Sequence, residues 1–326
     1  MKKLFLLVFT FSLYSTSYSQ YLLVEKYEPK DILENGQPNL IKIPFSKYNY
    51  NNGLTLIVSE DHSNPLININ ITYKVGSAND YADRTGMAYM IYKLMDQGSK
   101  HVNSGEYQST INQYGGKIFS QITRDRTTFS VTVPKNLLAT VLWMESDRQA
   151  YFLDSLTQEK VDNTKLDIIA AMYDSLYHQK YGLPDVLAQK NLYTFGHPYT
   201  WPEFGMMDHY QAFTITDLKK YFLDWYGSNN TILTITGDVK TQEVVDLVNS
   251  YFGTLTKAAQ SQTYIDDLFN RIAGSGGIEF TEPRYISYKI DVPHPLLKIV
   301  FNTVPKFNQD EKALNTIALL LGQGKN

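Results

Sequence analysis

From Ile67 to Tyr73 apolar and polar side chains alternate one for one, Ile67, Ile69, Ile71 and Tyr73 against Asn68, Asn70 and Thr72. A period of two predicts a β-strand with one face on a core. Just upstream, "KYNYNNGLTLIVSED" (47–61) sets Asn51-Asn52-Gly53 ahead of an apolar strand, Leu54 to Val58, the pattern of a hairpin. At "GMAYMIYKLMDQGS" (86–99) the period changes. Met87, Ile91, Leu94 and Met95 recur at i, i+4, i+7 and i+8, one stripe of an α-helix, and Gly98 stands where helices stop. Ser104 predicts the cap of a helix to about Tyr114, and "KIFSQIT" and "RTTFSVTVP" predict two strands. Pro134 opens a helix, and Ser155-x-x-Gln158 reads as a capping box starting a long helix to about Gln179. Helices near 215–226 and 241–252 flank the strand "SNNTILTITGDV". The order β-β-α-α-β-β-α-α-α-β-α, with paired strands beside grouped helices, predicts an α+β fold: an antiparallel sheet covered by helices on one face.

The ends of the chain read differently. A basic start, an apolar run over residues 4–13 and Ser17 and Ser19 flanking Tyr18 have the form of a signal peptide over 1–19. The expectation is therefore an exported protein, periplasmic in a Gram-negative bacterium or secreted. Residues 20–42 read as an N-terminal arm and 43–256 as one domain. Residues 257–283, with "GSGG", read as a linker. Residues 284–326 resume strand-like alternation and end on a helix pattern, the start of a second domain too short to be complete. The chain has no cysteine, which excludes a disulfide and a thiolate zinc site. A net charge of −3 gives no footprint for nucleic acid, and no later segment is apolar for long enough to span a membrane.

Several strings resemble the pitrilysin/insulinase family of zinc metallopeptidases, whose signature is H-x-x-E-H. "YKVGSANDYADRTGMAYMIYKLMDQGS" is similar to the segment leading through the family's zinc helix. "GHPYTWPEFGMMDHYQAFTITDLKKYFLDWYGSNNTILTITGDV" (196–239) is similar to its downstream block, and "NTVPKFNQDEKALNTIALLLGQGKN" to the opening of its second, similarly folded domain. In that register the first histidine falls on Tyr89, the glutamate on Tyr92 and the second histidine on Lys93. The third ligand, a glutamate ahead of a Tyr-Gly, falls on Ala171 when counted back from Tyr181-Gly182. A slip of one residue offers Ala170 or Met172, and the nearest acid is Asp174. Phe119 stands where active members tend to carry an asparagine beside the bound peptide, which makes Phe119 and Ser120 possible peptide contacts.

The resemblance therefore implies a degenerate member. Zinc hydrolysis needs three protein ligands and an open position for water. A tyrosine hydroxyl stays protonated near neutral pH, and an ammonium has no free lone pair. No zinc or other cofactor is expected, and Lys93 is expected to supply positive charge in the ion's place, within hydrogen-bond reach of a tyrosine, carboxylate or carbonyl. The six histidines offer no replacement. His178, four after Asp174, reads as a surface pair, and Asp208-His209 as a loop pair with no serine nucleophile to complete a triad. The expected role is an inactive subunit of a heteromeric protease, partnered by a zinc-bearing homologue and contributing a cavity for an extended peptide. The alternatives are an active zinc metalloendopeptidase with an atypical site, and a stand-alone peptide-binding or scaffold protein.

Overall fold

The computed structural model describes residues 20–28, 43–193, 197–260, 284–304 and 306–322. The expected signal peptide, part of the arm and most of the expected linker lie outside them.

Seven strands form one sheet: β1 (Tyr21–Tyr27), β2 (Phe45–Tyr50), β3 (Thr55–Glu60), β4 (Leu66–Tyr73), β5 (Lys117–Ile122), β6 (Thr127–Pro134) and β7 (Thr231–Gly237). Their order is β1-β2-β3-β7-β4-β6-β5. The α+β expectation holds. One pair, β3 with β7, is parallel, so the sheet is mixed. The alternating strand is interior to it: Ile69 of β4 lies between Val131 of β6 and Ile235 of β7, all buried. On the opposite face the Asn68 amide donates to Ser130 Oγ (3.1 Å) and Thr132 Oγ1 (3.0 Å), a polar ladder that tolerates water.

The helices are α1 (Met87–Met95), α2 (Glu106–Gln113), α3 (Leu138–Tyr151), α4 (Gln158–Tyr173), α5 (Leu183–Leu192), α6 (Ile215–Trp225), α7 (Thr241–Phe252) and α8 (Glu311–Gly322). The predicted stripe of α1, Met87, Ile91, Leu94 and Met95, is buried in the core. Two caps differ from the sequence reading. Ser104 does not cap α2; Gly105 precedes it with φ +78°, and Glu106 reaches back to the Asn103 N–H (2.9 Å). Ser155 does not cap α4; Thr157 does, accepting the Lys160 N–H (3.2 Å), while Ser155 Oγ donates to Gly98 O (3.2 Å) and Phe152 O (2.9 Å). The long helix leaves α geometry at Tyr173 and adds one π turn, Asp174–His178. Strand β1 and helix α5 were not anticipated. The alternation in 284–304 forms no strand among the described residues, and α8 has no buried residue.

What positions α1 is a buried acid. Asp80 accepts the N–H groups of Gly86 (2.7 Å) and Ala88 (2.9 Å), orphan donors of the helix start. Burial pushes its carboxyl up to about 7, opposed by those backbone donors and by the Tyr221 hydroxyl facing it. With the folded value above the unfolded one, Asp80 binds its proton more tightly in the folded state. That contribution is complete below the ordinary carboxylate range and is lost as pH rises through about 7. Between pH 5 and pH 8 the melting temperature of the wild type should fall by about 5 °C relative to Asp80→Asn, read by thermal unfolding in matched buffers. A difference that does not change with pH refutes the assignment.

Candidate functional site

The start of α1 is enclosed by the segment around 200–213. Gly86 has φ +99°, and a Cβ there would meet the Tyr210 ring at 2.8 Å, so only glycine fits. The Tyr210 hydroxyl donates to Phe204 O (2.7 Å), and His209 Nδ1 accepts the Thr85 N–H (3.0 Å). The expected Asp208-His209 loop pair lies instead in a 3-10 helix, Met207–Ala212, which His209 ties to Thr85.

With α1 so seated, Tyr89, Tyr92 and Lys93 share one face. Tyr89 is half-buried and burial pushes its phenol pKa up; its ring lies 5.9 Å from that of Tyr92. Tyr92 is buried, leans on Phe129 (5.8 Å) and shares a hydrogen bond with Ser120 Oγ (2.9 Å) on β5. Lys93 is exposed. Its Nζ sits over the Tyr89 and Tyr92 rings at 5.6 and 5.5 Å, and it makes no hydrogen bond or ion pair among the described residues. The expected hydrogen-bond acceptor is therefore replaced by two aromatic faces, an interaction whose strength comes from the ring quadrupole.

Helix α4 packs against α1 and carries Ala171, exposed. Of its neighbours, Ala170 is exposed and Met172 buried, and Asp174 pairs with His178 (3.1 Å) on the surface. Phe119 is 58% exposed on β5, the last strand of the sheet. Two phenols, an ammonium and a methyl group do not fit a zinc ion. Among the described residues no group of three or more His, Cys, Asp or Glu could hold a metal ion.

Beneath the site lies a pair the sequence reading missed. The Arg148 guanidinium is sandwiched between Tyr107 and Phe129, 4.5 Å from each ring, and Nη1 donates to both Glu145 oxygens (3.2 and 3.0 Å). Burial, outweighing the attraction of Arg148, pushes the Glu145 carboxyl up. Phe129 is also the ring on which Tyr92 leans, so the ion pair supports the site through one aromatic layer. The neighbouring Asp147, buried, accepts the Ser99 hydroxyl and pairs with His101 Nδ1 (2.5 Å), tying the exit of α1 to α3. The available signal was "ESDRQ" inside an otherwise apolar helix, polar residues too central to α3 to be a solvated end. Arg148→Met, which strands Glu145 in the core, should cost about 3–5 kcal/mol in urea unfolding, and Glu145→Leu in the same chain should recover most of it. An Arg148→Met protein as stable as wild type contradicts the packing described.

Two family models match the chain. One, described as insulinase (peptidase family M16), matches residues 55–187; the other, the M16 inactive domain, matches 212–326. The zinc protease PqqE of Helicobacter pylori is 24% identical over 294 residues, covering 84% of this chain and 60% of that protein. The probable mitochondrial-processing peptidase subunit beta of Schizosaccharomyces pombe is 23% identical over 224 residues, covering 64% of this chain and 45% of that one. The crystal structure of the periplasmic protease PqqL from Escherichia coli aligns with TM-score 0.59 and 19% identity, over 67% of this chain and 25% of that one. The chain spans about half the length of the curated relatives it matches.

Proposed function

Because the chain belongs to the insulinase (M16) family of peptidases, we propose that it is a catalytically inactive member, the zinc-less subunit of a heteromeric metalloprotease. It acts after export and lends a peptide-binding wall to a partner that carries the metal. What supports this reading is the set of residues that stands at the motif's positions on α1 and α4, two helices that pack together. Where hydrolysis requires three lone-pair donors and a base, these positions offer Tyr89, Tyr92, Lys93 and Ala171.

The rest of the site suits a binding role. Strand β5 ends the sheet, and among the described residues no strand pairs with its outer edge, which suits pairing with an extended chain by strand addition. Phe119 and Ser120 lie on that strand, and Ser120 is held by Tyr92. A subunit role is supported by the relative named as subunit beta of a processing peptidase, and export by the likeness to a periplasmic protease. In the same reading residues 1–19 are the export signal, and 284–326 begin a second similar domain after the linker 257–283.

Two experiments test it. Elemental analysis of the dialysed, tag-free protein should find zinc well below one per chain; near-stoichiometric zinc, removed by a chelator and restored on addition, sinks the proposal. Co-purification from the native host should bring down a homologue with an intact H-x-x-E-H.

Rebuilding the motif should not rebuild an enzyme. Tyr89→His, Tyr92→Glu, Lys93→His and Ala171→Glu together supply ligands, but histidine ligands also need outer hydrogen-bond acceptors to fix their tautomer and aim. The quadruple variant should bind zinc weakly by calorimetry and cleave a quenched fluorescent peptide at under about a hundredth of a family protease's rate, the loss expected when that support is missing. Robust cleavage by the variant alone refutes the claim that the support is gone.

A further inference from the structure

Lys93 differs from the lysines on the helix packed against it. On α4, Lys160 donates to Gln97 O (3.3 Å) and Lys165 to Phe213 O (2.6 Å). Lys93 has no such acceptor among the described residues; its ammonium rests on two phenol faces and is otherwise open to water. The nearest carboxylate on its own helix, Asp96, stands one turn on and beyond ion-pair distance. Burial pushes that carboxyl up, while Arg148 and then Lys93 pull it down.

The two rings do more than fill space. They limit the conformations of the lysine stem and replace water on one side of the ammonium, so less ordering remains to be done when an anion arrives. They also aim it, since Tyr92 is hydrogen-bonded to Ser120 and so ties the lysine to the edge strand. A chain paired with β5 shows alternate side chains to this face. One ammonium matches one carboxylate, whereas a phosphate dianion calls for several donors or a forked guanidinium.

We infer that Lys93 is an anchor for a carboxylate of the peptide laid along β5, carried either by an acidic side chain or by the peptide's own C-terminus. The inference rests on the peptide-binding reading above and names the substrate class for it: extended peptides with an anionic group over Tyr92. The cation that a zinc ion would have supplied is here a fixed ammonium, able to hold an anion and unable to activate water.

The test uses the full chain, immobilised, and four pools of random octapeptides. Two carry a fixed central Glu and two a fixed central Gln; one of each pair ends as the free acid and the other as the amide. Retention is counted by mass spectrometry at low and at physiological salt. Wild type should retain Glu over Gln, or free acid over amide, by about threefold, the scale of one partly exposed ion pair. Which pair separates tells side chain from C-terminus. Lys93→Met should abolish the difference, Lys93→Arg should keep it, and added salt should shrink it. Tyr89→Leu, which removes one ring, should reduce it while leaving the fold unchanged by circular dichroism. Equal retention of all four pools, or a preference that survives Lys93→Met, overturns the carboxylate anchor and leaves peptide binding standing. Retention of none overturns both.

Discussion

The site depends first on how the start of α1 is held. A helix turned by one residue rotates its side chains by about 100°, which would carry Lys93 off the face it shares with Tyr89 and Tyr92. The Asp80 carboxylate prevents this by taking two backbone donors of the first turn. Around it the segment after residue 200 closes like a collar. Trp201 Nε1 donates to Ser77 O (2.7 Å), Thr85 Oγ1 accepts the Met206 N–H (2.9 Å), and Gly205, at φ +71°, approaches so closely that a Cβ would lie 2.3 Å from Gly86 N. The stretch of sequence most similar to the family's downstream block is thus the one that grips the helix. Gripping the helix is a geometric duty, and it requires no metal ligand.

In the proposed reading the motif's positions pose an electrostatic problem, since two carboxylates with no cation between them would repel each other and lose hydration. Tyr92 and Ala171, at those positions, carry neither charge. The phenols then pack as neutral groups, Tyr92 against Phe129, and the remaining charge, Lys93, keeps its head in water while its stem crosses the rings. One layer deeper, a buried cation does persist: Arg148, stacked between two aromatics and paired with Glu145. At Arg148 a fixed carboxylate partner and two ring faces together hold a guanidinium in the interior.

Periodicity made the interior legible and left the edges obscure. Strand β4 declared itself because both its neighbours bury the same rows, and α1 because its stripe lies wholly in the core. Strand β1 went unread because most of "YLLVEKY" is exposed and imposes no alternation; α5 because none of its residues is buried, so no face was selected. The caps of α2 and α4 were displaced by one or two positions because a hydroxyl near a helix start has rivals. Ser155 bonds Gly98 O across the fold, a contact no local rule anticipates. Alternation in 284–304 gave no strand, since a strand needs a partner as well as a pattern. At the site, the two rings under Lys93 are its neighbours on α1, whereas the ion pair beneath depends on α2, α3 and β6, which a motif on one helix does not reveal.

The two ends of the sheet are not equivalent, and the difference bears on which one meets a partner. Exposed sheet edges invite unwanted pairing, and natural sheets blunt them with bulges and charge. Strand β1 does both: its register with β2 breaks between Leu23 and Glu25, and Lys26 pairs with Glu28 at its end (2.5 Å). Strand β5 has no bulge and carries charge only at its first residue, Lys117. It pairs with β6 residue for residue from Lys117 to Ile122 without a break, contains no proline, and turns Phe119 and Gln121 outward. A regular edge of six residues, unpaired among the described residues, is a template for another strand. It lies beside the face bearing Tyr92 and Lys93, and the hydroxyl of Tyr92 holds Ser120, the residue after Phe119. A strand edge open to any extended chain gives affinity through its backbone and little selectivity. In the inferred role, the ammonium at its flank would turn a general template into a selective one.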